Sequence, residues 1–305
     1  MKLLYLLNRV KLSLKHSGIR QTFKKIVHTI LKGNKIDLDD LLEESPKTLD
    51  EIFIKFGTDK GSLDGKKTYY HYYRFKESNF NSYLNWIQRK NIKNYKYQLG
   101  LNSTPTYEKF FKDIRNEKLK ILELGVANGH SIASWHHYFK NSMIYGLDMK
   151  NIDKFFYKSK RVKYFQIDIF NKQKIKTFIN DHGPFDFIID DSMNTRNAMI
   201  TNLKNFFPSL KPGGLFFLED VAFFTLTRGA FKDIENYNKK KGHEYFIDNR
   251  DMQEMFLDIM NENYSPDEHL TKSEIDYFKE NILKIEVPKY EHPHAGMIIF
   301  FKKKN

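Results

Sequence analysis

The chain predicts a doubly wound α/β domain on a mostly parallel seven-stranded sheet, with one late antiparallel strand and an N-terminal helical arm. Three observations lead there. From Lys118 onward short apolar runs alternate with helical stretches, the pattern of strands crossing over through helices. The first run passes straight into a glycine-rich turn, and several runs end in an acid. The last two runs lie close enough to pair antiparallel through the Pro288 to Gly296 connection.

In chain order, residues 120–124 form the first strand and residues 132–139 the helix after its turn. Strands follow at 143–147, 162–167 and 185–189, then a helical stretch at 198–207. The turn Lys211-Pro212-Gly213-Gly214 introduces a fifth strand at 215–218. Residues 222–280 are polar, aromatic and irregular, with helices expected at 228–239 and 251–261, and have the position of a lid-like insert. Strands at 282–287 and 297–301 close the domain, which spans 118–305. Upstream, residues 47–117 read as a helical segment rich in Tyr and Lys. Residues 1–46 read as a basic amphipathic arm and a polar linker beginning at Asn34.

Composition narrows the function. There is no cysteine, which excludes disulfides, thiolate metal sites and cysteine nucleophiles. A hydrophobic fraction of 40% suits a packed core rather than a disordered chain. The net charge is +13, but nine basic residues precede the first acid, Asp37, which leaves only +4 for residues 36–305. A basic arm on a nearly balanced body argues against a nucleic-acid substrate, whose enzymes spread positive charge over the catalytic face. In the arm, Leu3, Leu6, Leu7, Val10 and Leu14 recur at helical spacing, and Ile19, Phe23, Ile26, Val27 and Ile30 do so after Gly18. Basic residues fill the other face. That fits a helix lying on an anionic membrane surface, and equally an arm packed on the body or on a second copy in a homo-oligomer. No apolar run reaches the ~20 residues of a membrane span, and the expectation is a cytoplasmic protein, peripheral at the membrane if the arm binds lipid.

Ligands of doubly wound sheets bind at the carboxyl ends of the strands. Here the first strand ends Glu123-Leu124-Gly125-Val126-Ala127-Asn128-Gly129, with glycines where the backbone must turn sharply. The second ends at Asp148, placed to accept both hydroxyls of a ribose. The third ends at Asp168-Ile169, suited to the edge and face of an adenine. A dinucleotide and S-adenosylmethionine both fit such a rim. Against the dinucleotide, the third glycine opening the helix is missing, and Glu123 is unwelcome beside a pyrophosphate but useful beside a methionine ammonium. The expected cofactor residues are Glu123, Gly125, Ala127, Gly129, Asp148, Asp168, Ile169 and Asp190.

The runs from Ile121 to Trp135, Tyr145 to Asp148, Phe185 to Asp191 and Leu210 to Asp220 resemble class I S-adenosylmethionine-dependent methyltransferases. The most similar group is that of the macrolide-sugar O-methyltransferases and their surface-glycan relatives, some labelled cephalosporin-hydroxylase-like. The segment Phe56-Gly57-Thr58-Asp59-Lys60-Gly61, followed by His71 and Tyr72, resembles the same group. The resemblance covers residues 56–304 and implies a Rossmann-like domain that methylates a hydroxyl of a carbohydrate or glycosylated small molecule. It also implies a Mg²⁺ ion held by Asp191, Glu219 and Asp220, and a histidine base three residues after Asp191. This chain has Asn194 there, and an amide takes no proton near neutral pH. Asp191 remains a catalytic candidate, and His71 and His130 become candidate bases, although each also reads as a packing or surface histidine. His292 and His294 read as loop residues and Trp135 as core. Specificity is expected from segment 69–73 and from insert aromatics including Phe223, Phe224, Tyr237 and Tyr245. Two rival readings are an RNA methyltransferase, which the total charge favours, and a divergent cofactor-binding scaffold, which Asn194 favours.

Overall fold

The computed structural model describes residues 35–41, 48–56, 58, 60–61, 103–127, 129–151, 157–193, 196–221, 252–263, 266, 270–288 and 296–304. The basic arm before residue 35, His71 with segment 69–73, Asn128, Asn194, the insert between 222 and 251, and the 289–295 connection with His292 and His294 lie outside the described residues.

In chain order the described elements are β1 (Ile36–Asp37), α1 (Leu49–Phe56), α2 (Thr104–Phe111), β2 (Lys120–Leu124), α3 (His130–Tyr138), β3 (Met143–Asp148), β4 (Tyr157–Lys158) and β5 (Val162–Gln166). They continue with α4 (Lys172–His182), β6 (Phe185–Asp190), α5 (Arg196–Phe206), β7 (Leu210–Glu219), α6 (Met252–Met260), α7 (Lys272–Asn281), β8 (Ile282–Glu286) and β9 (Met297–Lys302). Seven strands form one sheet in the order β5-β3-β2-β6-β7-β9-β8. The pairs from β5 to β7 are parallel, while β9 runs antiparallel to both β7 and β8. Strand order reverses between β2 and β6, so the crevice of a doubly wound sheet opens where Leu124 sits opposite Asp190.

Side-chain alternation explains the layers. Leu122, Leu124, Ile188, Phe216, Leu218 and Phe300 face a core completed by residues of α4, α5, α6 and α7. Ile121, Ile189, Leu215, Phe217 and Ile299 face the opposite core, with Phe53, Tyr107, Phe111 and Trp135. Helix α3 is buried along its whole length, and Trp135 belongs to the core as its apolar setting predicts.

Three features depart from the sequence reading. Residues 35–41, expected within a linker, are docked: β1 pairs with β4, Leu38 is buried, and Asp39 accepts from Ser159 Oγ at 2.7 Å. The predicted turn at Lys211-Pro212-Gly213-Gly214 falls inside β7, where a register shift against β6 takes up the extra residues. Helices α4 and α7, not anticipated, start from local caps. Asn171 accepts from Lys174 N, and Thr271 with Glu274 forms a capping box.

Candidate active site

The rim acids come from two faces of the sheet. Glu123 and Glu219 alternate with Ile121 and Phe217, which sends both carboxylates into the layer that α1, α2 and α3 cover. Both are buried there. A buried carboxylate must be paired or protonated. The Lys60 side chain, just beyond α1, is itself buried and places its ammonium 2.6 Å from Asp191 Oδ2, in contact with Glu219 Oε2, and 3.9 Å from Glu123 Oε1. Tyr107, from α2, donates its hydroxyl to the other oxygen of Glu219. Ser131, in the first turn of α3, donates to Glu123 Oε2 at 2.8 Å.

Three acids face one lysine, so the cluster carries excess negative charge. Burial pushes the Glu123 carboxyl up to about 8; Lys60 opposes the shift, and Asp191 and Glu219 add to it. Glu219 is also shifted upward, chiefly by burial and against the pull of Lys60. Burial thus favours the protonated form of Glu123. Its Oε1 has no hydrogen-bond partner among the described residues.

The glycine turn sits against this cluster. Gly125 has φ +82°, and a Cβ there would lie 2.1 Å from the Asp191 carbonyl oxygen and 2.3 Å from Ser192 Cα. Glycine is required so that the β2 and β6 ends can touch; Gly125 N donates to Leu147 O at 2.8 Å and Asp191 N to Leu124 O at 2.9 Å. Ala127 (φ 51°) and Gly129 (φ 89°) repeat the left-handed conformation, and Gly129 opens α3. Asp148 accepts from Ala127 N at 2.7 Å through one oxygen and from Lys150 N at 2.9 Å through the other. Asp148 and the turn are thus joined directly, one strand away from the acid cluster. Asp168 is exposed at the end of β5 and accepts from Phe170 N at 2.9 Å; Ile169 is half-buried. Met149 and Phe170, 58% and 42% exposed, leave apolar surface on the same rim.

Other expected residues stand apart from this cradle. Asp190 alternates to the far face, where Asn202 and Ser192 donate to it and burial pushes it up to about 7. Its partners explain it without a ligand. His130 is buried, with Nδ1 2.9 Å from the Tyr157 hydroxyl on β4. Asp220 follows β7 with φ 57°. Asp191 and Glu219 converge on Lys60, and among the described residues no group of three acids or histidines is placed to hold a metal. As arranged, the implied ligand set does not fit a divalent ion, because an ammonium stands between two of its members. Sequence reasoning misses Lys60 and Tyr107 as site residues. The only sequence signal for Lys60 was the Gly57-Thr58-Asp59-Lys60 run itself; Tyr107 carried none.

The strand order and the reversed β9 are those of a Rossmann-like methyltransferase fold. Among solved structures, the fold matches a MycE methyltransferase from the mycinamycin biosynthetic pathway in complex with Mg, SAH and mycinamycin VI. The TM-score is 0.52 at 20% identity, over 86% of this chain and 56% of that one. No family model matches the sequence. Among curated proteins, the chain is 33% identical over 125 residues to the mycinamicin VI 2''-O-methyltransferase of Micromonospora griseorubida, covering 39% of this chain and 31% of that enzyme. It is 32% identical to the demethylmacrocin O-methyltransferase of Streptomyces fradiae over 125 residues, again 39% and 31%. A third relative is the 8-demethyl-8-alpha-L-rhamnosyl tetracenomycin-C 2'-O-methyltransferase of Streptomyces olivaceus, 30% identical over 139 residues, 43% of this chain and 36% of that one. The aligned part is thus about a third of each relative's length.

Proposed function

We propose that the chain is an S-adenosylmethionine-dependent O-methyltransferase acting on a sugar hydroxyl of a glycosylated small molecule or surface glycan. The observation that carries this is the joined cradle: Asp148 bonded to the Gly125–Gly129 turn at the switch point, with buried acids beside it. In this reading the ribose hydroxyls donate to the Asp148 oxygens, using lone pairs that Ala127 N and Lys150 N leave open. Asp168 and Ile169 meet the adenine, and Phe170 and Met149 extend the apolar surface around it. Glu123, its Oε1 without a hydrogen-bond partner among the described residues, lies beside the turn that receives the methionine end. The bound cofactor supplies an already activated methyl group, so the residues chiefly align the acceptor oxygen and exclude water. Asp191 borders the cradle through its backbone beside Gly125, and its side chain, 28% exposed, is placed for an acceptor hydroxyl. Of the two candidate bases, His130 is buried against Tyr157, which leaves His71 as the base in this reading. No step is assigned to a divalent ion. The three curated relatives are named O-methyltransferases of mycinamicin VI, demethylmacrocin and a rhamnosyl tetracenomycin, which supports a small-molecule acceptor, glycosylated in the last case, over RNA.

The test is transfer of a labelled methyl group to a panel of glycosylated macrolides, rhamnosylated aromatics and surface-glycan fragments, with structured RNA at physiological salt as the rival. Label on a sugar oxygen is expected. Label on RNA alone, or tight cofactor binding without transfer to any member of the panel, would overturn the assignment in favour of an RNA enzyme or a non-catalytic scaffold.

A further inference from the structure

Three buried or half-buried carboxylates surround one point on the rim, and a lysine ammonium occupies it. Lys60 Nζ contacts Asp191 and Glu219 and lies 3.9 Å from Glu123 Oε1, a fully buried oxygen with no hydrogen-bond partner among the described residues. Tyr107 holds Glu219 from the opposite side, so that carboxylate is oriented toward the ammonium. Carboxylate oxygens in this number suit a hard divalent cation, and an ammonium and a divalent cation cannot share one position. We infer that Lys60 is the resident cation of this cluster, that it competes directly with a divalent ion for Asp191 and Glu219, and that removing it creates a divalent-cation site with Glu123 as the third acid. The set differs from the Asp191, Glu219 and Asp220 trio implied by resemblance, because Glu123 Oε1 lies 3.9 Å from the same ammonium. Occupancy by a cation is a property of the folded chain alone and does not rest on methyl transfer.

The experiment titrates Mn²⁺ into the full-length protein, read by electron paramagnetic resonance and calorimetry, for the wild type, Lys60→Ala, and Lys60→Ala combined with Glu123→Gln or with Asp220→Asn. The wild type is expected to show no saturable site below about 1 mM. Lys60→Ala should bind one Mn²⁺ at least ~100-fold more tightly, within the range over which ligand charge tunes such sites. Glu123→Gln should weaken that site and Asp220→Asn should leave it unchanged. One tight Mn²⁺ on the wild type, with Lys60→Ala equal or weaker, would overturn the inference; so would dependence on Asp220 in place of Glu123. If Lys60→Ala does not fold alone, refolding by Mn²⁺ supports the inference, and a Mn²⁺-induced rise in the wild-type melting temperature contradicts it.

Discussion

Replacing Gly125 with alanine tests the contact that joins the two halves of the rim. The added Cβ would meet Asp191 O at 2.1 Å and Ser192 Cα at 2.3 Å, both backbone atoms that cannot swing aside. The left-handed backbone at φ +82° costs an L-residue roughly 1–2 kcal/mol. Forcing a methyl into packed backbone costs about 1–3 kcal/mol more. The smaller entropy of the unfolded chain returns about 0.4–1 kcal/mol. The net loss is about 2–4 kcal/mol, or a fall in melting temperature of about 5–15 °C for a domain of this size. Because Asp191 must move, cofactor affinity should fall with it. Gly213→Ala is the control: its φ is +77°, yet its Cβ would come no closer than 3.4 Å, to a Lys304 side-chain carbon. It should therefore lose about 1 kcal/mol and no affinity. Thermal unfolding and calorimetry on both variants give the comparison. Equal losses from the two would refute the close approach of β2 and β6 as the reason for glycine.

Three further outcomes are expected. His136 is kept neutral, its imidazole held down at about 4 by burial and then by Arg161, against an ordinary 6.5. Between those values the unfolded chain binds a proton that the native chain does not, so stability falls as pH drops from 6.5 to 4 by about 3 kcal/mol in total. Urea unfolding of His136→Gln should lose that slope, and an unchanged slope contradicts the assignment. Tyr107→Phe keeps the ring packing on Trp135 and Phe111 but takes a donor from buried Glu219. A loss of about 1–3 kcal/mol in denaturant unfolding is expected, and an unmoved midpoint contradicts it. Asp168→Ala should weaken S-adenosylmethionine binding about tenfold while leaving the melting temperature nearly unchanged, since the side chain is exposed. Unaltered affinity would reduce Asp168 to the turn it makes with Phe170.

The sheet was legible because its strands are buried on both faces and read as plain apolar runs, such as Ile121–Leu122 and Ile188–Ile189. Helices α4 and α7 were not, although Asn171 and the Thr271–Glu274 pair announce them. Each buries only two side chains, Ile175 with Phe178 and Ile275 with Phe278, too few to show a period against polar neighbours. The rim acids were legible as a group because each closes a strand. Which face each one takes follows from its alternation, and that step separates Asp190 from Glu123 and Glu219. Lys60 was hidden for a different reason. Its partners lie 131 and 159 residues away, and only tertiary packing brings them together. Its side chain is buried, where a single sequence suggests an exposed lysine.

The central proposition is that the rim binds an adenosyl sulfonium, and the direct measurement is calorimetric titration of S-adenosylmethionine and of NAD into the wild type and Asp148→Ala. The account predicts one site for S-adenosylmethionine, no comparable heat from NAD, and at least about tenfold weaker binding once the Asp148 carboxylate is gone. Preferential binding of NAD, or S-adenosylmethionine affinity indifferent to Asp148, would contradict it.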